Sequence, residues 1–391
     1  MAEPKHTSTV EILESLIAFD TTSRNPNRPM IDWIAGYLSD LGVESTIVVD
    51  DDPGKANLLA TIGPTDAPGI VLAGHTDVVP VDGQTWGSDP FTLTERDGRL
   101  FGRGTADMKS WAALALAGVP RFLEAPLCRP VHLAFSYDEE TTCLGAVSLG
   151  DAIAALPTRP ALCIVGEPSG MRAVTGQKGC YCFTAEFQGL AAHSSLAPDG
   201  VNAVEYASRF AVFLSDLSAT FAREGPFVAG YDVPHTTVHV GTCRGGTALN
   251  IVPEHCRLEF EFRNLPGHDA ADIRRTILSF ANDVLEPDMR LVSPDARIEI
   301  DEWSGLPGYA LDDESVEVQL VRSLSGHNDD VKVTYFSEAG IYADRAAIPS
   351  LICGPGFIDQ AHKPDEFISL DQITEGERFM DRLTSYLCRP G

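Results

Sequence analysis

The chain has 391 residues, 44% of them apolar, enough to bury more than one core and too long for one ordinary domain. Its net charge of −27 excludes nucleic acid and anionic membrane surfaces as partners and would welcome a cationic small molecule. The acids are spread along the chain, so solubility accounts for most of that charge. At the amino end, MAEPKHTSTVEILESL has no basic region followed by an apolar stretch. Ser8 with Glu11 reads there as a capping box opening a helix, and the expected location is the cytoplasm. The longest near-apolar run, Trp111 to Pro120, is too short to span a bilayer. Nine cysteines include no CxxC pair. Cys163 and Cys353 fall inside strand-like runs, where a thiol behaves as a small hydrophobe, and Cys180 with Cys182 alternates along one strand and reads as structural.

In chain order, Thr21, Thr22 and Ser23 sit in a loop with no assigned role, and Ile31, Ile34, Leu38 and Leu41 form the apolar stripe of a helix from Met30 to Leu41. VLAGHTDVVP (71–80) is a buried strand ending at His75. Gly74 frees the backbone just before that imidazole, and Asp77, two positions on, could fix its tautomer. LFGRGTADMKSWAALALAG (100–118) delivers Asp107 through a glycine-rich turn to a helix start, where an N-cap is the plain alternative. VHLAFSYDEE (131–140) ends a core strand in Asp138, Glu139 and Glu140, adjacent carboxylates that repel unless a cation neutralises them. ALCIVGEPSG (161–170) repeats the pattern with Glu167, and SLICGPGFIDQAHKPDEF (350–367) places His362 beyond a strand and a Gly-Pro-Gly turn.

Residues 177–304 read as an insertion with the order βαββαβ: CYCFTAEFQG, NAVEYASRFAVFLSDLSATF, TTVHVGT, CRLEFEFRN, AADIRRTILSFANDVL and ARIEIDE. The expected architecture is α/β. A catalytic domain split into 1–176 and 305–391, with a central mixed sheet flanked by helices, carries an inserted ferredoxin-like α+β domain for dimerisation or as a lid.

Two imidazoles and three carboxylates at separate strand ends point to one dinuclear metal site. Nitrogen and oxygen donors suit two Zn²⁺ ions, with Co²⁺ or Mn²⁺ as alternatives. With one carboxylate bridging, ligand charge of minus three nearly balances plus four. The residue of positive charge would activate water and polarise a carbonyl, which hydrolysis requires. Only one of Glu139 and Glu140 need bind metal, leaving the other as general base.

GHTDVVP, GRGTADMK, SYDEE, GEPS and AHKPDEF, in this order over nearly the whole chain, resemble the co-catalytic zinc amidohydrolases that include aminoacylases, carboxypeptidases, desuccinylases and deacetylases. That resemblance implies His75, Asp107 and Glu167 on one metal and Asp107, Glu140 and His362 on the other, with Asp107 bridging. It makes Glu139 the general base and Asp77 the orienter of His75. Ser110 departs from the glycine many members carry after DMK, and Glu167 resembles the deacetylase and desuccinylase branches rather than the peptidases. In the insertion, the resemblance makes His193 of GLAAHSS an oxyanion-stabilising group that reaches a partner's active site, so a homodimer is expected. It also makes Asn250 and Arg263 ligands of the substrate's α-carboxylate. The run from Tyr335 to Ile368 is most similar to the acetylornithine deacetylase branch, where Glu338 would meet a δ-ammonium group or else cap the next helix. The expected reaction is hydrolysis of N2-acetyl-L-ornithine in arginine synthesis. The alternatives are succinyl-diaminopimelate desuccinylation, a broad N-acyl amino acid or dipeptide hydrolase, and, from another class, a non-catalytic metal or amino-acid binding protein.

Overall fold

The computed structural model describes residues 7–390, so the first six residues of the amino-terminal reading lie outside it. Two compact units emerge: residues up to Gly176 with Tyr309–Val331 and the segment from Ser337 onward, and Gln177–Gly308 with Lys332–Phe336.

In the first unit the strands run in the order Ser45–Val48, Asn57–Ile62, Val131–Ser136, Ile70–His75, Leu162–Pro168, Ser350–Gly354, Val174–Gln177 and Tyr309–Ala310. The four central neighbours, from Val131–Ser136 to Ser350–Gly354, are mutually parallel. Every residue of these four is buried, as a parallel sheet covered on both faces requires. Their carboxyl ends all lie along one edge, where open α/β sheets bind ligands. The helix Lys109–Glu124 is buried along most of its length and packs against Thr9–Ile17 and Leu370–Leu387, while Leu144–Ala154 packs against Ala339–Arg345. Ser8 and Glu11 form the expected capping box. Two glycines are explained by space. A Cβ on Gly166 would lie 1.9 Å from the Trp111 ring, and one on Gly74 would lie 2.5 Å from Met108 Cε. Gly74 is not at positive φ, so it supplies room for Met108 rather than the backbone freedom expected of it.

In the second unit, Cys180–Gln188, Ala203–Glu224, Thr237–Gly245, His255–Arg263, Ala270–Ser279 and Arg297–Leu306 follow one another as βαββαβ. The strands form an antiparallel sheet in the order Thr237–Gly245, His255–Arg263, Cys180–Gln188, Arg297–Leu306, the ferredoxin-like arrangement. Phe183, Phe187, Phe260 and Phe262 from the sheet meet Phe210 from the first helix, whose buried Ala203, Ala207, Phe210 and Leu214 recur at helical spacing. The second helix, read as continuous from Ala270 to Leu285, changes at Phe280 to a wider π-helical turn through Leu285. Among the described residues no helix is long and apolar enough to cross a membrane.

Candidate metal centre

His75 closes its strand, and its cross-strand partner on the neighbouring parallel strand is Ser136, so the acids that follow Ser136 emerge beside it. Glu167 ends the strand on the other side, and His362 follows the fourth parallel strand. The fold thus gathers segments separated by up to 287 residues (75 to 362) at one sheet edge.

Asp107 lies at the centre. Its Oδ1 is 3.0 Å from His75 Nε2 and its Oδ2 is 3.1 Å from His362 Nε2, one oxygen for each imidazole. Glu140 lies on the His362 side, at 3.1 and 3.2 Å, and Glu167 Oε1 is 3.6 Å from His75 Nε2. Two overlapping groups of donors arise, His75 with Asp107 and Glu140, and His75 with Glu139 and Glu167. Asp107 is not the helix N-cap: that position is Met108, which makes no side-chain cap bond.

The donor set is unbalanced without cations. His75 Nδ1 donates to the Asp77 carbonyl at 2.9 Å, while Nε2 faces only carboxylate acceptors, a pattern a neutral imidazole cannot satisfy. Glu167 Oε1 is buried with no hydrogen-bond partner. Burial, followed by the charge of Glu167, pushes the Glu139 carboxyl well above its usual range, and burial with the charge of Asp107 does the same to Glu167. Burial and Asp107 push Glu140 up to about 7. Burial works against ionised Asp107, yet its bonds from His362 and His75 hold it low, and bonds to Asp107 and Glu140 lift His362 to about 10. Four carboxylates around two imidazoles, with an orphaned oxygen, fit a pair of divalent ions in oxygen and nitrogen coordination.

The supporting shell is built from residues distant in sequence. The Asp77 carboxylate lies 3.5 Å from His75 Nδ1, farther than its own carbonyl. It also accepts the backbone N–H groups of Glu139 and Glu140 at 3.1 and 3.3 Å and the Ser23 hydroxyl at 2.6 Å. Asp77 therefore orients both the imidazole and the acidic turn. Thr21 holds the adjacent backbone through the Thr76 carbonyl at 2.6 Å, and Lys55 pairs Asp138 at 2.6 Å, which takes that carboxylate away from the centre. Glu366, in the PDEF run, gathers the backbone N–H groups of Gly104, Ala106 and Asp107 at 2.8 to 3.1 Å and pairs with Arg103 at 2.5 Å. Sequence reading left Ser23 without a role and missed Lys55 and Glu366, although Glu366 lies in the AHKPDEF run.

Glu338 is fully buried, and Ser136 donates its hydroxyl to it, one side chain behind His75. It makes no side-chain cap to its helix. Ser110 is buried with its hydroxyl unpartnered, a packing position as expected.

In the second unit, His193 is exposed, with Nδ1 2.8 Å from Ser195 Oγ, and Asn250 is its neighbour through Ser194 N–H to the Asn250 carbonyl at 3.0 Å. Arg263 ends the strand His255–Arg263, roughly 27 Å from that strand's start at ~3.4 Å per residue. Its Nε donates to Glu261 Oε1 at 2.8 Å, and its guanidinium lies 5.9 Å from the Phe336 ring. One chain brings His193 and Asn250 together and sets Arg263 at the far end of the sheet.

A fully buried parallel sheet with a carboxylate-bridged pair of imidazoles at its carboxyl edge defines a metal-dependent hydrolase architecture. The chain belongs to Peptidase family M20/M25/M40, whose family model matches residues 71–385. Among its relatives, the acetylornithine deacetylase of Photorhabdus laumondii is 34% identical over 376 residues, covering 96% of this chain and 94% of the relative. That of Erwinia tasmaniensis is 35% identical, covering 96% and 94%. Among solved structures, a tripeptidase from Staphylococcus aureus shares the fold with a TM-score of 0.76 at 20% identity, covering 98% of this chain and 99% of that one.

Proposed function

We propose that the chain is a cytoplasmic, zinc-dependent acetylornithine deacetylase, converting N2-acetyl-L-ornithine and water to L-ornithine and acetate. The observation that carries the reading is Asp107 placed with one oxygen toward each imidazole, with Glu139 buried beside them. Full-length similarity to relatives of that name supports the substrate. His75, Asp107 and Glu167 would hold one ion and Asp107, Glu140 and His362 the other. When bound, the ions supply Lewis acidity to water and to the scissile carbonyl. Glu139 removes the proton from the attacking water and returns it to the leaving amine, a role its place beside the ligands supports. Because Asp77 anchors the Glu139 and Glu140 backbone as well as His75, base and ligands keep a fixed relation.

His193 steadies the oxyanion from a second subunit, and Asn250 and Arg263 bind the α-carboxylate. Exposed Leu190, Leu196, Leu249 and Ile251 on the loops around His193 and Asn250 support pairing of this inserted unit with a copy of itself in a homodimer. The burial of Glu338 supports a positioning role behind His75, through Ser136, over the expected contact with the δ-ammonium group.

The test is a panel of N-acetylornithine, N-acetylmethionine and succinyl-diaminopimelate, assayed after chelation and again after zinc or cobalt is restored. Metal-dependent turnover greatest on the first compound is expected. Activity confined to the last would reassign the substrate, and no metal-dependent amide cleavage would return the chain to a binding role.

A further inference from the structure

A second set of metal-type donors lies in the inserted unit, within one face of its sheet. Cys180 opens the strand Cys180–Gln188 and Cys182 projects from the same face two residues on, with the two Sγ atoms 3.8 Å apart. The neighbouring antiparallel strand pairs Glu261 with Cys182 in register. Glu261 Oε2 lies 3.8 Å from Cys180 Sγ and 4.0 Å from Cys182 Sγ, while its Oε1 is the acceptor for Arg263 Nε. The carboxylate therefore turns Oε2 to the thiols while both its oxygens accept from the Arg263 guanidinium, Oε1 from Nε at 2.8 Å and Oε2 from Nη2 at 3.5 Å.

These separations have a simple geometric meaning. With metal bonds of about 2.3 Å to sulfur and about 2.1 Å to oxygen, a tetrahedral zinc site has a sulfur–sulfur edge of about 3.8 Å and a sulfur–oxygen edge of about 3.6 Å. The observed triangle matches that face of a tetrahedron to within a few tenths of an ångström. Two sulfurs at 3.8 Å are also well beyond the ~2.05 Å of a disulfide. Charge closes as well: two thiolates and a carboxylate carry minus three, and a divalent ion with Arg263 supplies plus three.

We propose that Cys180, Cys182 and Glu261 bind one Zn²⁺ ion, separate from the pair held by the first unit, with the fourth position open to water. Cys180 is buried while Cys182 and Glu261 are partly exposed, so the ion enters from the solvent side of the sheet. Cys243 and Cys256, 3.7 Å apart on the same sheet, form an internal control because they join no three-donor group among the described residues.

Cobalt titration of the full-length protein tests the assignment, after chelation and with a non-thiol reductant. Sulfur-to-cobalt charge transfer in the near ultraviolet arises only from thiolate ligands, and the first unit's centre has none. One equivalent of that absorption per chain is expected. It should disappear in Cys182→Ser, persist in Cys243→Ser, and persist in Asp107→Ala, where the first centre is broken, so failure of the functional reading cannot imitate failure here. Glu261→Gln, a milder change to the fold, should weaken cobalt binding at least tenfold while leaving the circular dichroism unchanged. Absence of the absorption in reduced wild-type protein at saturating cobalt, its survival in Cys182→Ser, or its loss in Cys243→Ser would overturn the proposal.

Discussion

The two units treat their functional side chains in opposite ways. In the first, four parallel strands end together, and ligands from five sequence segments converge into a mutually constrained cluster, buried except at His362, in which Asp107 touches both imidazoles. In the second, His193 and Asn250 stand exposed at one end of an antiparallel sheet and Arg263 closes the other. A parallel sheet concentrates chemistry at one edge, because all its carboxyl ends point the same way. An antiparallel sheet divides its strand ends between two edges, and under the proposed homodimer a site drawn from both would be completed by a second copy. The proposed roles follow this division: the first unit would hold the reaction's fixed apparatus, and the second would supply groups whose value depends on assembly.

The strongest way to break this contrast is at Glu139. Glu139→Gln keeps the size and removes the base, so turnover should fall by about a hundred- to ten-thousand-fold while bound metal stays near the parent's level. Metal analysis on the purified variant decides. Because Glu139 also groups with His75 and Glu167, a parallel loss of metal would make it a ligand and exchange its role with Glu140.

A smaller effect is expected one step back from the ligands. Glu366→Gln keeps an acceptor for the loop but discards the charge that three N–H groups and Arg103 share. Metal affinity should fall about ten- to a hundred-fold, the usual cost of losing an outer partner of a ligand. Competition with a chelator of known affinity measures it. An unchanged affinity would mean that the glycine-rich turn aims Asp107 unaided.

The trans role of His193 is sharpened by mixing two inactive variants, His193→Ala and Glu139→Gln. In a heterodimer one site has an intact Glu139 and receives an intact His193, so an equal, freely exchanging mixture should regain about a quarter of parental activity. A heterodimer verified by mass that stays inactive would confine His193 to its own chain or to no catalytic role.

His75, Glu139, Glu140 and Glu167 were legible because each stands at or just beyond the end of an apolar strand, where a charged side chain is anomalous, whereas Asp107 and His362 were read from the turns and motif runs that carry them. The βαββαβ order of the insertion was legible from alternation and helical stripes, as with Ala203, Ala207, Phe210 and Leu214. What escaped was set by tertiary contact alone. Ser23 and Lys55 look like ordinary loop residues until the fold brings them to Asp77 and Asp138. Glu366 gave no hint that its oxygen serves a loop more than 250 residues earlier. Gly74 was misread because a missing side chain can mean either backbone freedom or space, and only the position of Met108 distinguishes them. Glu338 could be neither placed nor assigned from sequence, since a buried carboxyl and a substrate-facing one are spelled alike.

The smallest predicted effect concerns pH and the metal-free protein. Glu140 and Glu338 are each pushed up to about 7, from an ordinary value near 4.5, with burial the leading cause. Between those two values the folded chain binds more protons than the unfolded one, so stability must fall as pH rises through that window. His362, lifted to about 10, acts in the same direction, its contribution fading as pH climbs from its ordinary 6.5 toward that value. Asp107 has the opposite sign, but its lowered pKa removes stability only as pH drops below the ordinary carboxylate range, outside the window, and His132, lowered to about 4 by burial, opposes the slope only below its ordinary 6.5. The chelated protein should therefore melt at a lower temperature at pH 7.5 than at pH 5.5. With zinc restored, the contributions of the ligands Glu140, Glu167 and His362 to that slope should vanish, because a bound cation keeps each in its deprotonated form, while that of Glu338 should remain. Glu338→Gln in the chelated protein separates the two: it should flatten part of the slope, and a slope left unchanged would show that Glu338 exchanges no proton over this range.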